Sequence, residues 1–199
     1  VCQPSRQTLM TGRFPHNNGA PGFDPIADDV PILQESLRRA GYLNGGIGKT
    51  RHLQPSSRFG WDLGAGPEDP DTGIWMHHLG NGRDIDLYKK YMRDFLQMAN
   101  DQDKNFWLML NPHDPHKPFY GDGAAAFDYP VSRVYLPEEI EVPGFLPDLP
   151  DVREELAAYY TSVRRSDDIV GAILEILEDA GFQANTLVMF LSDNGSSFP

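Results

Sequence analysis

Apolar residues fall into two patterns along the chain. In one they recur three and four positions apart: Leu87, Tyr88, Tyr91, Met92, Phe95 and Met98 between Asp84 and Asn100, and Leu156, Tyr159, Tyr160, Val163, Val170, Ile173, Leu174 and Leu177 after Asp151. That spacing lines one face of a helix, so two long amphipathic helices are predicted. Asp151 with Glu154 has the form of an N-cap pair opening the second helix, and Gly181 ends it. Residues 31–40, with Ile32, Leu33 and Leu37 at helical spacing, predict a shorter helix with Pro31 in its first turn and Gly41 as its cap. In the second pattern the apolar run is short and continuous. FWLML at 106–110 and TLVMFL at 186–191 predict strands buried on both faces, as in a parallel sheet covered by helices. YLNGGIGK at 42–49 predicts a brief strand that runs into a glycine-rich loop.

Eight prolines from Pro112 to Pro150 exclude long helices and central strands there. This predicts an extended surface excursion on the substrate side. Helices alternating with apolar strands give an α/β class with a mainly parallel central sheet flanked by helices, whose functional residues gather beyond the strand C-termini. Three polar clusters hold such positions: Lys49 to His52, His113 to His116, and Asp193 with Asn194.

The 199 residues, 40% hydrophobic, are enough for one compact unit with a substantial core. No apolar run approaches the roughly 20 residues of a membrane span. The chain begins at Val1 and stops at Pro199 directly after a loop, so both ends are expected to be internal to a longer protein. Its net charge of −12 argues against a general binder of nucleic acid or of anionic membranes. An anionic substrate must then be held by a local cationic pocket. The single cysteine permits no internal disulfide and leaves the redox compartment open.

That cysteine, Cys2, has two readings on its residues alone. A free thiol is most often a small buried apolar side chain. Yet Pro4 suits a first helical turn, a helix N-terminus favours an anion or a nucleophile developing negative charge, and Arg6 adds a forked cation. Asp193-Asn194-Gly195 forms a turn or offers two oxygen donors to a hard divalent cation. On their residues alone His113 and His116, in a proline-rich loop, read as exposed side chains, and Lys49 to His52 reads as a solvated basic turn. His77 and His78 have no acidic or cysteine partner at metal spacing and read as loop residues. Gly45 to Gly48 has the wrong spacing for a dinucleotide site. Arg164-Arg165 followed by Asp167-Asp168 reads as a solvated helix face.

Cys2-Gln3-Pro4-Ser5-Arg6, followed by Leu9-Met10-Thr11-Gly12-Arg13, resembles the sulfatase signature C-x-P-S-R-x-x-x-[LM]-T-G-R. The resemblance implies an alkaline-phosphatase-like fold, of which residues 1–199 would be a central part, with an upstream metal-ligand strand and a C-terminal portion outside it. It implies that Cys2 is oxidised by a maturation enzyme to formylglycine, whose hydrate is the nucleophile. Arg6, Lys49, His52 and His113 would then be catalytic, and Lys49, His113 and His116 would contact substrate. Residue 2, Asp193 and Asn194 would hold Ca2+, or Mg2+ in its place. The family's Gly-Lys-x-His segment has one residue more here, Gly48-Lys49-Thr50-Arg51-His52. His16-Asn17-Asn18-Gly19 resembles a turn common in the family. His113-Asp114-Pro115-His116, the AAYYTSVRRSDD segment and the DNGSSFP ending resemble the sulfamidase branch and its bacterial relatives. The implied reaction is hydrolysis of sulfate esters or sulfamates on a sulfated glycan, in a periplasmic, secreted or lysosomal protein. The isolated segment is expected to be inactive. A phosphonate monoester or phosphodiester hydrolase of the same superfamily, and an inactive glycan-binding homologue, stay open as alternatives.

Overall fold

A computed structural model describes residues 1–63, 73–122 and 128–195. The last four residues of the DNGSSFP ending lie outside this set. The sheet has two parallel strands, β1 (Leu43–Ile47) and β2 (Phe106–Leu110), in register from Leu43 opposite Phe106 to Ile47 opposite Leu110. Ile74 adds an isolated parallel bridge to Ile47. Strand β1 is buried throughout, and its two central glycines explain how. A Cβ at Gly45 would lie 2.7 Å from Phe95 and Leu108, and one at Gly46 would lie 2.6 Å from Trp61. The missing side chains let both covering layers close directly on the strand.

Alternation along β2 divides the core. Phe106, Leu108 and Leu110 pack with Phe95, Ile169 and Tyr88 on one side, whereas Trp107 and Met109 pack with Met10, Leu53, Phe59 and Trp61 on the other. The first layer is built by α4 (Ile85–Asp101) and α5 (Pro150–Asp179), the second by α1 (Cys2–Thr11) and the loops after β1. Two shorter helices, α2 (Pro15–Asn18) and α3 (Leu33–Arg39), lie between α1 and β1 in the chain. Helix α4 matches its predicted pattern, with Asp84 capping the N–H groups of Asp86 and Leu87 at 3.0 and 3.2 Å.

Four expectations need correction. Strand β2 is half-buried rather than enclosed, because it pairs on one edge only among the described residues. Residues 186–191 join no described strand, and Phe190 is 80% exposed; a strand is defined by its ladder, and this segment pairs with no described one. Helix α3 begins at Leu33, with Pro31 outside it and Gln34, not Leu33, turned inward. Helix α5 starts at Pro150, so Asp151 is a first-turn acid and not the cap. Its inner face runs through Leu156, Ala157, Thr161, Ser162, Arg165, Ile169, Ala172, Ile176 and Leu177, while Val163 and Leu174 face outward.

The α5 face differs from the apolar periodicity because the helix serves two partners. Its second half packs on α4 through Ile176 and Leu177. Its first half holds the proline-rich excursion, partly by polar contacts: Tyr120 N donates to Ser162 Oγ at 2.9 Å and Tyr135 N to Thr161 Oγ1 at 3.0 Å. As expected, the described part of that excursion contains no long helix, only a 3-10 turn at Pro137–Glu139.

Candidate active site

Cys2 opens α1, half-buried, and Arg6 follows one turn later on the same face. One arm of the Arg6 guanidinium donates to Asn111 Oδ1, and the other lies 2.7 Å from Asp193 Oδ2. Ser5 Oγ donates to the Asp193 carbonyl at 2.5 Å. These contacts draw the C-terminal segment onto the first turn of α1.

The Lys49 loop approaches from the end of β1. Gly48 and Lys49 both have positive φ, 75° and 50°, which reverses the chain sharply into the 3-10 turn Thr50–His52. A Cβ on Gly48 would stand 2.2 Å from the Asn111 carbonyl oxygen, so only glycine permits this approach. Lys49 is buried, and no carboxylate of the described residues lies within ion-pair distance of it. Burial first, then Arg6, holds its ammonium below the ordinary lysine range, with Asp193 and Cys2 acting the other way.

The two histidine segments complete the cleft. His52 meets Trp75 edge-on at 5.5 Å; burial, then Lys49 and Arg6, lower its imidazole to about 4. His113 is fixed by its N–H to the Gly82 carbonyl at 2.9 Å, and its ring lies 4.6 Å from that of His116. Burial, then Lys49 and Arg83, lower His113 to about 2. Both rings are therefore neutral near pH 7. The Nδ1 atoms of His52 and His113 and the Nε of Arg6 are buried without a hydrogen-bond partner among the described residues. Such atoms are costly unless a ligand satisfies them.

Cys2, Arg6, Lys49, His52, His113 and Asp193 thus lie in one group, with the more exposed His116 beside His113. Asn194 stands apart: it is exposed, and its Nδ2 donates to the Gly195 carbonyl at 2.9 Å. His16 and Asn17 belong to the α2 turn, where buried Asn18 accepts from Ala20 N at 2.9 Å, which is the structural role expected of them. A cavity of about 460 Å³ lined by Tyr135, Glu139 and Tyr160 shares no residue with the cleft.

Sequence reasoning passes over Asn111 and gives Tyr88 only a place on the buried helix face. Asn111 binds Arg6 through Oδ1 and the Gly48 carbonyl through Nδ2 at 2.9 Å, and its own carbonyl accepts from Tyr88 Oη at 2.7 Å. Its position directly after β2, where the apolar run ends, is the one signal that could have pointed to it. Arg165 must also be corrected: it is buried on Asp114, while only its neighbour Arg164 meets Asp167 and Asp168 at the surface.

Two guanidinium or ammonium groups beside neutral imidazoles suit a tetrahedral oxyanion, because the cations stabilise charge that builds on its oxygens. A cation cage is another matter. Asp193 and Asn194 are oxygen donors of the right kind for calcium or magnesium, but a hard cation takes six or more. Among the described residues no group of three His, Cys, Asp or Glu side chains can hold a metal, and Asp193 faces Arg6. These residues alone do not make a metal site.

The sulfatase family model matches residues 1–199. The chain belongs to the sulfatase family. It is 36% identical over 219 positions to N-sulphoglucosamine sulphohydrolase of Homo sapiens, covering 100% of this chain and 42% of that protein. It is 27% identical over 242 positions to N-acetylgalactosamine-6-sulfatase of Mus musculus, covering 99% of this chain and 42% of that one. This sulfatase chain therefore spans under half the length of the curated relatives it matches. A crystal structure of the yidJ sulfatase from Bacteroides fragilis superposes with a TM-score of 0.59 at 20% identity, covering 93% of this chain and 50% of that one. The fold is accordingly that of the sulfatases, in the alkaline-phosphatase-like class expected from the signature. Sulfatases generally use formylglycine and a divalent metal. Among the described residues no helix is long and apolar enough to cross a membrane.

Proposed function

We propose that this chain forms the sulfate-binding part of an enzyme that hydrolyses sulfate esters or sulfamates on a sulfated glycan. The observation that carries the reading is that Asn111 ties Arg6, one turn after Cys2, to the Gly48–Lys49 loop, with His52 and His113 near enough to feel the Lys49 charge. Arg6 and Lys49 give the group two local cations in a protein of net charge −12. A formylglycine made from Cys2 by a maturation enzyme would supply, as its hydrate, an oxygen nucleophile for sulfur.

The chain's own residues do the rest. Arg6 and Lys49 bind two of the sulfuryl oxygens and oppose the charge that develops on them. His113, whose buried Nδ1 has no hydrogen-bond partner among the described residues, delivers a proton to the leaving oxygen or nitrogen. Because that ring is neutral in the free protein, the bound anion must raise its affinity for the proton first. In this reading His52 serves the nucleophile and His116 the substrate. Residue 2, Asp193 and Asn194 would be ligands of a calcium ion, or of magnesium, which takes further oxygen donors besides. A periplasmic, secreted or lysosomal location follows from the same family reading.

The test is the mass of the Cys2 peptide from the full-length protein, made in a host that converts a control sulfatase, together with sulfate release from a panel of sulfated glycans. An aldehyde at position 2 and release of sulfate are expected. An intact thiol beside a converted control would overturn the nucleophile, and turnover of phosphodiesters alone would overturn the substrate class.

A further inference from the structure

Asp114 lies between His113 and His116 in sequence but does not enter the cleft. Its carboxylate is 0% exposed and is held by Arg83 and Arg165, whose side chains are 0% and 1% exposed. Arg83 Nε donates to Oδ1 at 3.0 Å; Arg165 donates through Nε to Oδ2 at 2.5 Å and through Nη2 to Oδ1 at 3.2 Å. The remaining arms hold backbone. Arg83 donates to the carbonyls of Asn81, His116 and Pro118 at 3.2, 3.1 and 3.0 Å, and Arg165 donates to Tyr129 at 3.4 Å while lying over the Tyr120 ring.

Burying three charges is expensive, and well-packed apolar residues would be as stable. Their use here follows from what they connect. Arg83 comes from the turn leading into α4 and Arg165 from the middle of α5, so the loop is bonded to both long helices at once. The same turn fixes His113 through the Gly82 carbonyl. The two histidines flank a point with little freedom to move.

We propose that Asp114, clamped between Arg83 and Arg165, is a positioning residue that sets His113 and His116 in the sulfate cleft, an inference that rests on the functional reading of that cleft. A guanidinium fixes two directions at once, whereas an ammonium acts as a point charge. Arg165→Lys keeps the charge and loses the fork, so it separates position from charge balance.

The experiment uses the full-length protein with Arg165→Lys, Arg83→Lys and Asp114→Asn, assayed well below each melting midpoint and corrected for folded fraction. For Arg165→Lys kcat should fall about 100-fold, the scale of a misplaced catalytic group, with KM within about threefold. A loss confined to the melting temperature, with kcat per folded molecule unchanged, overturns the proposal. Ring 15N spectra give a readout that needs no turnover. The His113 and His116 signals should move or broaden in Arg165→Lys and Arg83→Lys while those of His16 and His77 stay in place; unmoved His113 and His116 signals overturn it. If the unaltered protein releases no sulfate, the functional reading fails, and the ring signals still decide the positioning claim. If Asp114→Asn does not fold, the two lysine variants carry the test.

Discussion

Arg6 and Asn111 are joined across 105 residues of sequence by a guanidinium-to-amide hydrogen bond. The bond links the first helix to the end of β2, and the same amide holds the Gly48 carbonyl beside Lys49. One side chain thereby sets the separation of the two cations in the cleft. Asn111→Ala should leave an Arg6 arm buried without a partner and free the Lys49 loop. A hydrogen bond to a charged group contributes about 1.5–3 kcal/mol, so sulfate affinity should drop roughly 10- to 100-fold. Calorimetric titration of the full-length protein with sodium sulfate checks this; unchanged affinity would show that Arg6 is placed by other contacts.

Lys49 is a cation held where it is not stable. It is buried, repelled by Arg6 and without a carboxylate partner among the described residues. Lys49→Met should therefore raise stability while removing function. An increase of about 1–2 kcal/mol is expected, a rise in Tm of roughly 2–8 °C for a domain of this size. Sulfate release should fall by at least about 100-fold. Thermal melting and turnover on the same preparation measure both, and a lower Tm would mean that Lys49 has a structural partner.

What could be read beforehand was local. Helix α4, strand β1 and the glycine ending α5 follow from periodicity, Asp84 and Gly181, each acting within a few positions of itself. Arg165 was misread because its partner Asp114 lies 51 residues away, while Asp167 and Asp168 stand next to it in sequence. The α5 face was misassigned where Thr161 and Ser162 turn inward to hold backbone N–H groups of the excursion, which an apolar pattern does not encode. Residues 186–191 look like a strand because they are apolar, yet a strand depends on its neighbour. Residue chemistry leaves Cys2, Lys49 and His113 open between bland and functional roles, and only the family resemblance favours the functional one. Asn111 carries no such signature; its importance is wholly tertiary.

The two lowered histidines make stability depend on pH. In the folded chain His52 and His113 titrate at about 4 and about 2, below the ordinary 6.5. On acidification the unfolded chain takes up these protons first, so the unfolded state gains. Their contribution is complete above pH 6.5; it is lost from there down to about 4 for His52, and further down for His113. The slope is at most roughly 1.4 kcal/mol per pH unit for each ring. Calorimetry between pH 7.5 and 5 should show a smaller fall in Tm for the double variant His52→Gln with His113→Gln than for the unaltered protein. Parallel curves would deny the linkage. Sulfate favours the protonated rings, so it should protect more strongly at pH 5.5 than at 7.5.

Gly48 and Gly12 provide a matched pair for the close approach at the cleft. Both have positive φ, 75° and 64°, but a Cβ at Gly48 would meet the Asn111 carbonyl at 2.2 Å, whereas one at Gly12 would meet nothing within 4 Å. Gly12→Ala should cost only the left-handed backbone penalty, about 1–2 kcal/mol. Gly48→Ala adds an overlap with backbone that cannot swing aside, on the order of a further 1–3 kcal/mol. It should also displace Lys49 from Arg6, so its turnover should drop while that of Gly12→Ala stays near the starting value. Tm and sulfate release measured on both variants separate the two contributions. Equal losses would mean that conformation alone, and not contact with Asn111, requires glycine at position 48.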